Sequence, residues 1–306
     1  MPTTIATGRE QVTLTVNQLL EDPLRVPELL RTFFRDQFIA DKILRPAGKA
    51  TGGAVQYWEA GPVLPSTTGG GVEVVAPMSE IPVVNPVVGD PKSAQILKRG
   101  LGLRISRELA DRNNVGIVLR GMQQIRNAMI VSVDGALMTA INAAVTQTVA
   151  VATPWDAATG TTIRRDLTAA RAIPEGLRDT GYDYQPDTLL INRRTRDDLM
   201  LSSEFQAPFI GAVAGQNPIL AGQLPDSVWG YRFLVSSQVP FDVAYLLQSQ
   251  VVGGIADERG TPGEPIEVSD PFPEPAHEAT RWNVTRAVAG FIDSPGAIVR
   301  LNNVET

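Results

Sequence analysis

The 306 residues include no cysteine, so disulfides, thiolate metal sites and thiol nucleophiles are all excluded. Histidine is almost as scarce. His277 stands alone between prolines and Glu278, whereas histidine metal sites and catalytic triads need further partners. Lysine occurs only at positions 42, 49, 92 and 98. The net charge is −6 and the pI about 5.0, which argues against a surface that grips nucleic acid through its phosphates. Long apolar runs are missing as well. The most apolar stretch, 128–145, is broken by Asp134 and Asn142, which argues against a membrane span. Met1-Pro2-Thr3-Thr4 lacks the basic residues of a signal peptide, and no apolar run comes after it. These absences describe a soluble protein made in a cytoplasm.

Catalytic motifs are missing too. The stretch from His277 to Arg281 fails the zinc-protease pattern at its fifth position. Gly100-Leu101-Gly102 is followed by Ile105 where a dinucleotide loop needs glycine, and neither a phosphate-loop lysine motif nor a nucleophile elbow occurs. The carboxylate pairs Asp197/Asp198 and Asp183/Asp187 have the chemistry for acid–base work or a hard cation, but charged faces beside loops explain them equally well. Arg193, Arg194 and Arg196 form too short a cluster for a nucleic-acid footprint, and read as a solvated helix start. No catalytic residue, cofactor site or metal site is expected, and no enzyme activity.

What is present is organised in blocks. Hydrophobic content of 43% with 20% charged residues is ordinary for a folded chain long enough for two modest domains. Leu29, Leu30, Phe33, Phe34 and Phe38 recur at helical spacing after Asp22, a possible cap, or with Pro23 and Pro27 in the first turns. An arm this apolar needs cover, from its own body or from a neighbour. Glycine and proline then make up about a third of residues 46–91, which excludes helix. Two short strands are expected there, at 54–59 and 72–75. Val55, Tyr57, Trp58, Val63 and Leu64 carry more apolar surface than a linker needs, so a projecting hairpin covered by another subunit fits.

Ser93–Ile105 reads as strand, with Ser106 as the N-cap of a helix that has Glu108 in its first turn. An apolar stripe from Val115 to Val145 then predicts a helix of about 45 Å, longer than a small domain is wide. Gly121 and Gly135 are its weak points. From about 159 the pattern alternates: a helix at 163–177 that Pro174 must kink or interrupt, a strand at 187–191, a helix at 195–201, and strands at 231–235, 244–247 and 251–255. The tail is strand-like at 266–268, 280–292 and 297–301. In 280–292, Trp282, Val284, Arg286, Val288 and Gly290 share one parity. The tail has no helix of its own, so it is expected to pair with strands near 92–105, making 159–257 an insertion in one domain.

Several local stretches, in this order, resemble the HK97-like major capsid proteins of tailed bacteriophages, actinobacterial ones especially. They are Asp22–Leu30, the Gly/Pro-rich 46–91, Glu80–Val84 leading to Leu103–Leu109, Pro186–Thr195, Gly230–Pro240 with Gly253–Glu258, and Arg286–Val299. The resemblance covers nearly the whole chain. It implies an α+β fold with an N-terminal arm (1–45), an extended β-hairpin loop (46–91), a peripheral domain with a long spine helix (92–158), an axial α/β domain (159–257) and closing peripheral strands (258–306).

The resemblance further implies a homo-oligomer of hexamers and pentamers in an icosahedral virion shell, assembled in the host cytoplasm. Scaffolding, portal and decoration proteins are possible partners; no specific nucleic-acid or membrane partner and no cofactor is implied. Phe33, Phe34, Phe38, Tyr57, Trp58, Val63 and Leu64 are the candidate inter-subunit contacts, and Gly121 and Gly135 the candidate bending points of the spine helix. Some members weld subunits through a loop lysine and a peripheral asparagine. No lysine lies near 61–71, so covalent crosslinking is not expected. No long helical scaffolding segment precedes the arm, which implies a separate scaffold or none. The rival readings are an encapsulin-type shell, an enzyme on the 159–257 block, and a monomeric binding module.

Overall fold

The computed structural model describes residues 3–7, 10–14, 25–50, 52–59, 74–81, 91–112, 115–157, 162–177, 183–206, 225, 227–259 and 264–305. In chain order the first elements are strands β1 (Thr3–Thr7) and β2 (Glu10–Leu14), helices α1 (Arg25–Phe34) and α2 (Ala40–Ile43), and strands β3 (Arg45–Lys49), β4 (Ala54–Trp58), β5 (Pro91–Gln95) and β6 (Leu97–Ser106). Helices α3 (Arg107–Asp111) and α4 (Val115–Ala144) come next, then β7 (Gln147–Ala150), α5 (Ile163–Gly176), β8 (Thr188–Ile191), α6 (Arg193–Leu201) and α7 (Ser203–Gln206). The remaining strands are β9 (Ser227–Val228), β10 (Tyr231–Val235), β11 (Val243–Leu247), β12 (Gly253–Asp257), β13 (Glu267–Val268), β14 (Phe272–Glu274), β15 (Ala279–Ile292) and β16 (Ile298–Asn302).

Two six-stranded sheets organise the molecule. The first runs β7-β16-β11-β8-β10-β9, parallel between β8 and β10 and between β16 and β7. Both its faces are covered, so β8 and β11 are buried along their whole length. On one face Leu189, Ile191, Leu246 and Leu301 pack with Ile163 and Leu167 of α5 and with Trp155. On the other, Leu190, Tyr245, Leu247 and Ile298 join the core that α4 also lines.

The second sheet is built on β15. One edge pairs with β6 through ten residues, from Ala279↔Ser106 to Val288↔Leu97, the pairing expected for the tail. The other edge takes β14, β13 and β12 in turn, and β3 adds to β12 in parallel. The period-2 reading of this strand holds: Trp282, Val284, Arg286 and Val288 are buried, while Asn283, Thr285 and Ala287 are half-exposed. Gly290 departs from it and is exposed. Glycine is needed at 253, where a Cβ would lie 2.1 Å from the Phe291 carbonyl oxygen.

Helix α4 lies across β6 and β15. Its 30 residues span about 45 Å, and Val118, Met122, Ile125, Met129, Val133, Leu137 and Ile141 form the buried stripe. The helix is long and apolar enough to cross a membrane, but this stripe is already spent on the core with Leu103, Ile105, Trp282 and Val284. Ser106 caps α3 as its sequence position suggests, its Oγ accepting from the Leu109 amide at 3.4 Å. Pro174 does not interrupt α5: it falls in the last turn, and the helix closes two residues later at Gly176.

Three strands lie outside the blocks read from the sequence. β12, placed with 159–257, joins the sheet of β15. β7 and β16, placed with 92–158 and 258–306, join the sheet of β8. Pairing partners rather than chain proximity decide membership, and no local pattern encodes them.

Candidate assembly surfaces

The Gly/Pro-rich segment contains a hairpin, with a different return strand from the one expected. β4 pairs in five rungs with β5, Ala54↔Gln95 to Trp58↔Pro91, and Val74 and Val75 are not in a strand. Across its outer end Lys92 and Glu59 form an ion pair. Only Ile96 separates β5 from β6, and its amide bonds the Gly53 carbonyl at 3.0 Å. Tyr57 stacks on Phe291 of β15 with centroids 4.7 Å apart, tying the hairpin to the sheet. Trp58 is 51% exposed. Beyond it Val74 and Met78 are fully exposed and Ile81 is 70% exposed, three apolar side chains that this chain does not cover. Val63 and Leu64 lie outside the described residues.

The aromatic residues of the arm are placed differently. Phe34 and Phe38 are each 1% exposed, their rings stacked at 5.9 Å within the core of this same chain. Their cover is their own body, so neither is free to meet a neighbour as described. Phe33 is half-buried against that core. Along α4 the helix is continuous through Gly121 and Gly135. Gly121 lets Leu103 approach, whose Cδ1 would lie 3.3 Å from an added Cβ, and Gly135 lies beside the Gln238 amide oxygen. The approach of Leu103 is one packing reason for glycine at 121.

A buried ionic cluster joins the arm, the sheet and the long helix. Arg286, 1% exposed, bonds Asp257 through Nε (2.9 Å) and Nη2 (3.1 Å) and Asp41 through Nη2 (2.6 Å) and Nη1 (3.3 Å). Its guanidinium also sits 4.5 Å from the Phe38 ring centroid. Burial pushes Arg286 toward neutrality, but the two carboxylates outweigh it and its pKa is raised. Asp41 is raised as well, because desolvation exceeds the attraction of Arg286. Asp134 of α4, 2% exposed, accepts from the amides of Ala40 (3.2 Å) and Ile39 (3.4 Å). Desolvation lifts its pKa to about 6. The parity of β15 grouped Arg286 with Trp282, Val284 and Val288, and the structure buries all four; nothing local in the sequence pointed to Asp41 or Asp257 as its partners.

The residues weighed for catalysis are dispersed. His277 is exposed on a short 3-10 turn. Asp187 accepts from Ser249 at N (2.7 Å) and Oγ (2.6 Å), bracing a loop, while Asp183 accepts from Gln185. Asp197 pairs with neighbouring Arg196. Arg194 reaches buried Glu305 and lies 5.7 Å from the Phe241 ring. Among the described residues no three His, Asp or Glu side chains gather where they could hold a metal ion.

The two sheets, the long helix and the projecting hairpin define an HK97-like capsid fold, and solved structures of that class superpose on the chain. The capsid of cyanophage P-SCSP1u matches with a TM-score of 0.59 at 13% identity, covering 88% of this chain and 89% of that one. The Gordonia phage Cozz structure gives 0.55 at 16% identity, covering 86% and 84%. A virus-like particle from Pyrococcus furiosus gives 0.54 at 12% identity, covering 90% and 95%. No significant match was found among curated proteins. The family model described as phage capsid protein matches residues 89–301. The chain belongs to that phage capsid protein family, and it is a structural shell subunit of the virion capsid.

Proposed function

We propose that the chain assembles through hexamers and pentamers into an icosahedral shell around the phage genome, in the host cytoplasm. In this reading the β8 sheet with α5 and α6 forms the axial domain at the capsomer centre. The β15 sheet with α4 forms the peripheral domain, and the hairpin reaches over a neighbouring copy. One observation carries it: Val74 and Met78 are fully exposed, and Ile81 and Trp58 are 70% and 51% exposed, along the hairpin region. A monomer would leave that surface bare. The reading assigns no chemistry to the chain. It leaves scaffolding, portal and decoration proteins as partners still to be identified.

Size-exclusion chromatography with light scattering, followed by negative-stain imaging of any early peak, tests it. Rings or closed shells of megadalton mass support assembly. A 32.9 kDa monomer that persists with phage partners present overturns it. The Pyrococcus particle shares the fold, so the contents of the shell matter: DNA fits the phage reading, and a packed cargo protein would replace it with a nanocompartment.

A further inference from the structure

Asp134 is buried midway along α4, beneath the segment that carries α2. Among the described residues its only hydrogen bonds are with the Ile39 and Ala40 amides. Those amides open α2 and have no carbonyl of their own helix to meet. Asp134 therefore serves as a cap donated by another element, and no cation bonds it directly. Facing it from the arm are Asp41 and, along the cleft beside it, Asp36 and Lys42. Facing it from β15 is Arg286, already engaged by Asp41 and Asp257. Arg126 of α4 and Arg193 of α6 line the same cleft, of about 610 Å³, which gives water a route to the segment.

We propose that Asp134 makes the docking of residues 36–44 onto α4 depend on pH, tighter in mild acid than at neutrality. A protonated carboxyl can stay buried and still accept a hydrogen bond through its carbonyl oxygen. The carboxylate must give up its hydration to remain there, and undocking returns it to water. The direction is set by linkage. Docked Asp134 has a pKa of about 6 against 3.8 in water, so the docked form takes up the proton first. Its contribution is fully present below 3.8 and is lost as the pH rises through about 6. With those two values the docking constant falls roughly ten-fold from pH 5 to pH 7.5. The inference rests on the fold alone and not on the shell reading.

Hydrogen–deuterium exchange of the full-length, unassembled chain tests it, read on peptides covering 36–44 and corrected for the intrinsic exchange rate at each pH. Wild-type protection should be roughly ten-fold higher at pH 5 than at pH 7.5. Asp134→Asn, which keeps an acceptor without the charge, should shrink the difference to the part that Asp41 within the segment contributes, and protect the segment at pH 7.5 at least as well as wild type. Equal wild-type protection at both pH values overturns the proposal, as does an unchanged pH step in the Asn variant. If that variant does not fold, carboxyl-carbon NMR of the wild type decides, with Asp134 assigned through its contacts to the Ile39 and Ala40 amides. A midpoint near 6 supports the proposal, and one near 3.8 overturns it.

Discussion

Replacing Arg286 by methionine isolates the buried ionic cluster. The substitution keeps an unbranched apolar stem of similar reach but removes the guanidinium that Asp41 and Asp257 share. Two carboxylates would then face each other with side chains only 35% and 20% exposed. Breaking a buried pair by deleting one partner costs about 3–5 kcal/mol, and the lost contact with Phe38 adds up to about 2 kcal/mol. Partial access of Asp41 to water offsets some of this, so a net loss of about 3–5 kcal/mol at pH 7.5 is expected. For a chain of 306 residues that lowers the Tm by roughly 5–8 °C. The pH dependence has a definite sign. Asp41 already sits above its ordinary value, and removing the cation raises it further, so acid neutralises the stranded charge. Arg286→Met should therefore lose less at pH 5 than at pH 7.5, and adding Asp41→Asn and Asp257→Asn should restore most of the Tm. Differential scanning calorimetry of the unassembled subunit reads all three. A loss under about 1 kcal/mol at pH 7.5, or one that grows in acid, would refute the reasoning.

Further perturbations separate folding from assembly. Gly253→Ala drives a methyl into the Phe291 carbonyl, so a loss of about 3 kcal/mol or more is expected in urea unfolding, whereas the same change at Gly176, with open space around it, should stay within about 0.5 kcal/mol. Trp58→Ser should leave subunit Tm within about 1–2 °C, yet raise the concentration needed for assembly by about ten-fold or more, read by light scattering. Particles boiled in SDS should run as a single 32.9 kDa band; a ladder of multimers would contradict the absence of covalent crosslinks.

Much of this architecture was legible where one short-range pattern decided it. The stripe from Val115 to Ile141 needs only helical spacing, and the alternation of Trp282, Val284, Arg286 and Val288 needs only a sheet with one dry face. Ser106 announces its helix by a cap whose bond spans three residues. The misplaced features depend on partners distant in sequence. The hairpin's return strand lies 33 residues from its mate in the Trp58↔Pro91 pair, and Pro91 and Lys92 gave it little strand character. Phe34 and Phe38 are apolar enough for either an interface or a core; only the fold of α1 against α4 decides between them. Asp134 looked like a blemish in an apolar run. Its value as a cap for α2 comes from a contact 94 residues away.

The chain passes between the two sheets three times: from β6 to β7 through α3 and α4 (107–146), from β11 to β12 at 248–252, and from β15 to β16 at 293–297, the last two through short connectors. The middle one is pinned on both sides, by Asp187 to Ser249 and by the Gln250 amide to the Ile43 carbonyl at 2.7 Å. The halves are therefore sewn together rather than strung in series, and neither is a transferable module. A gene fragment covering 159–257 would encode a sheet stripped of β7 and β16, with Leu246 and Leu247 at a raw edge. Recombination that exchanges one half between relatives must cut all three seams at once, so the whole subunit is the unit that can be inherited intact.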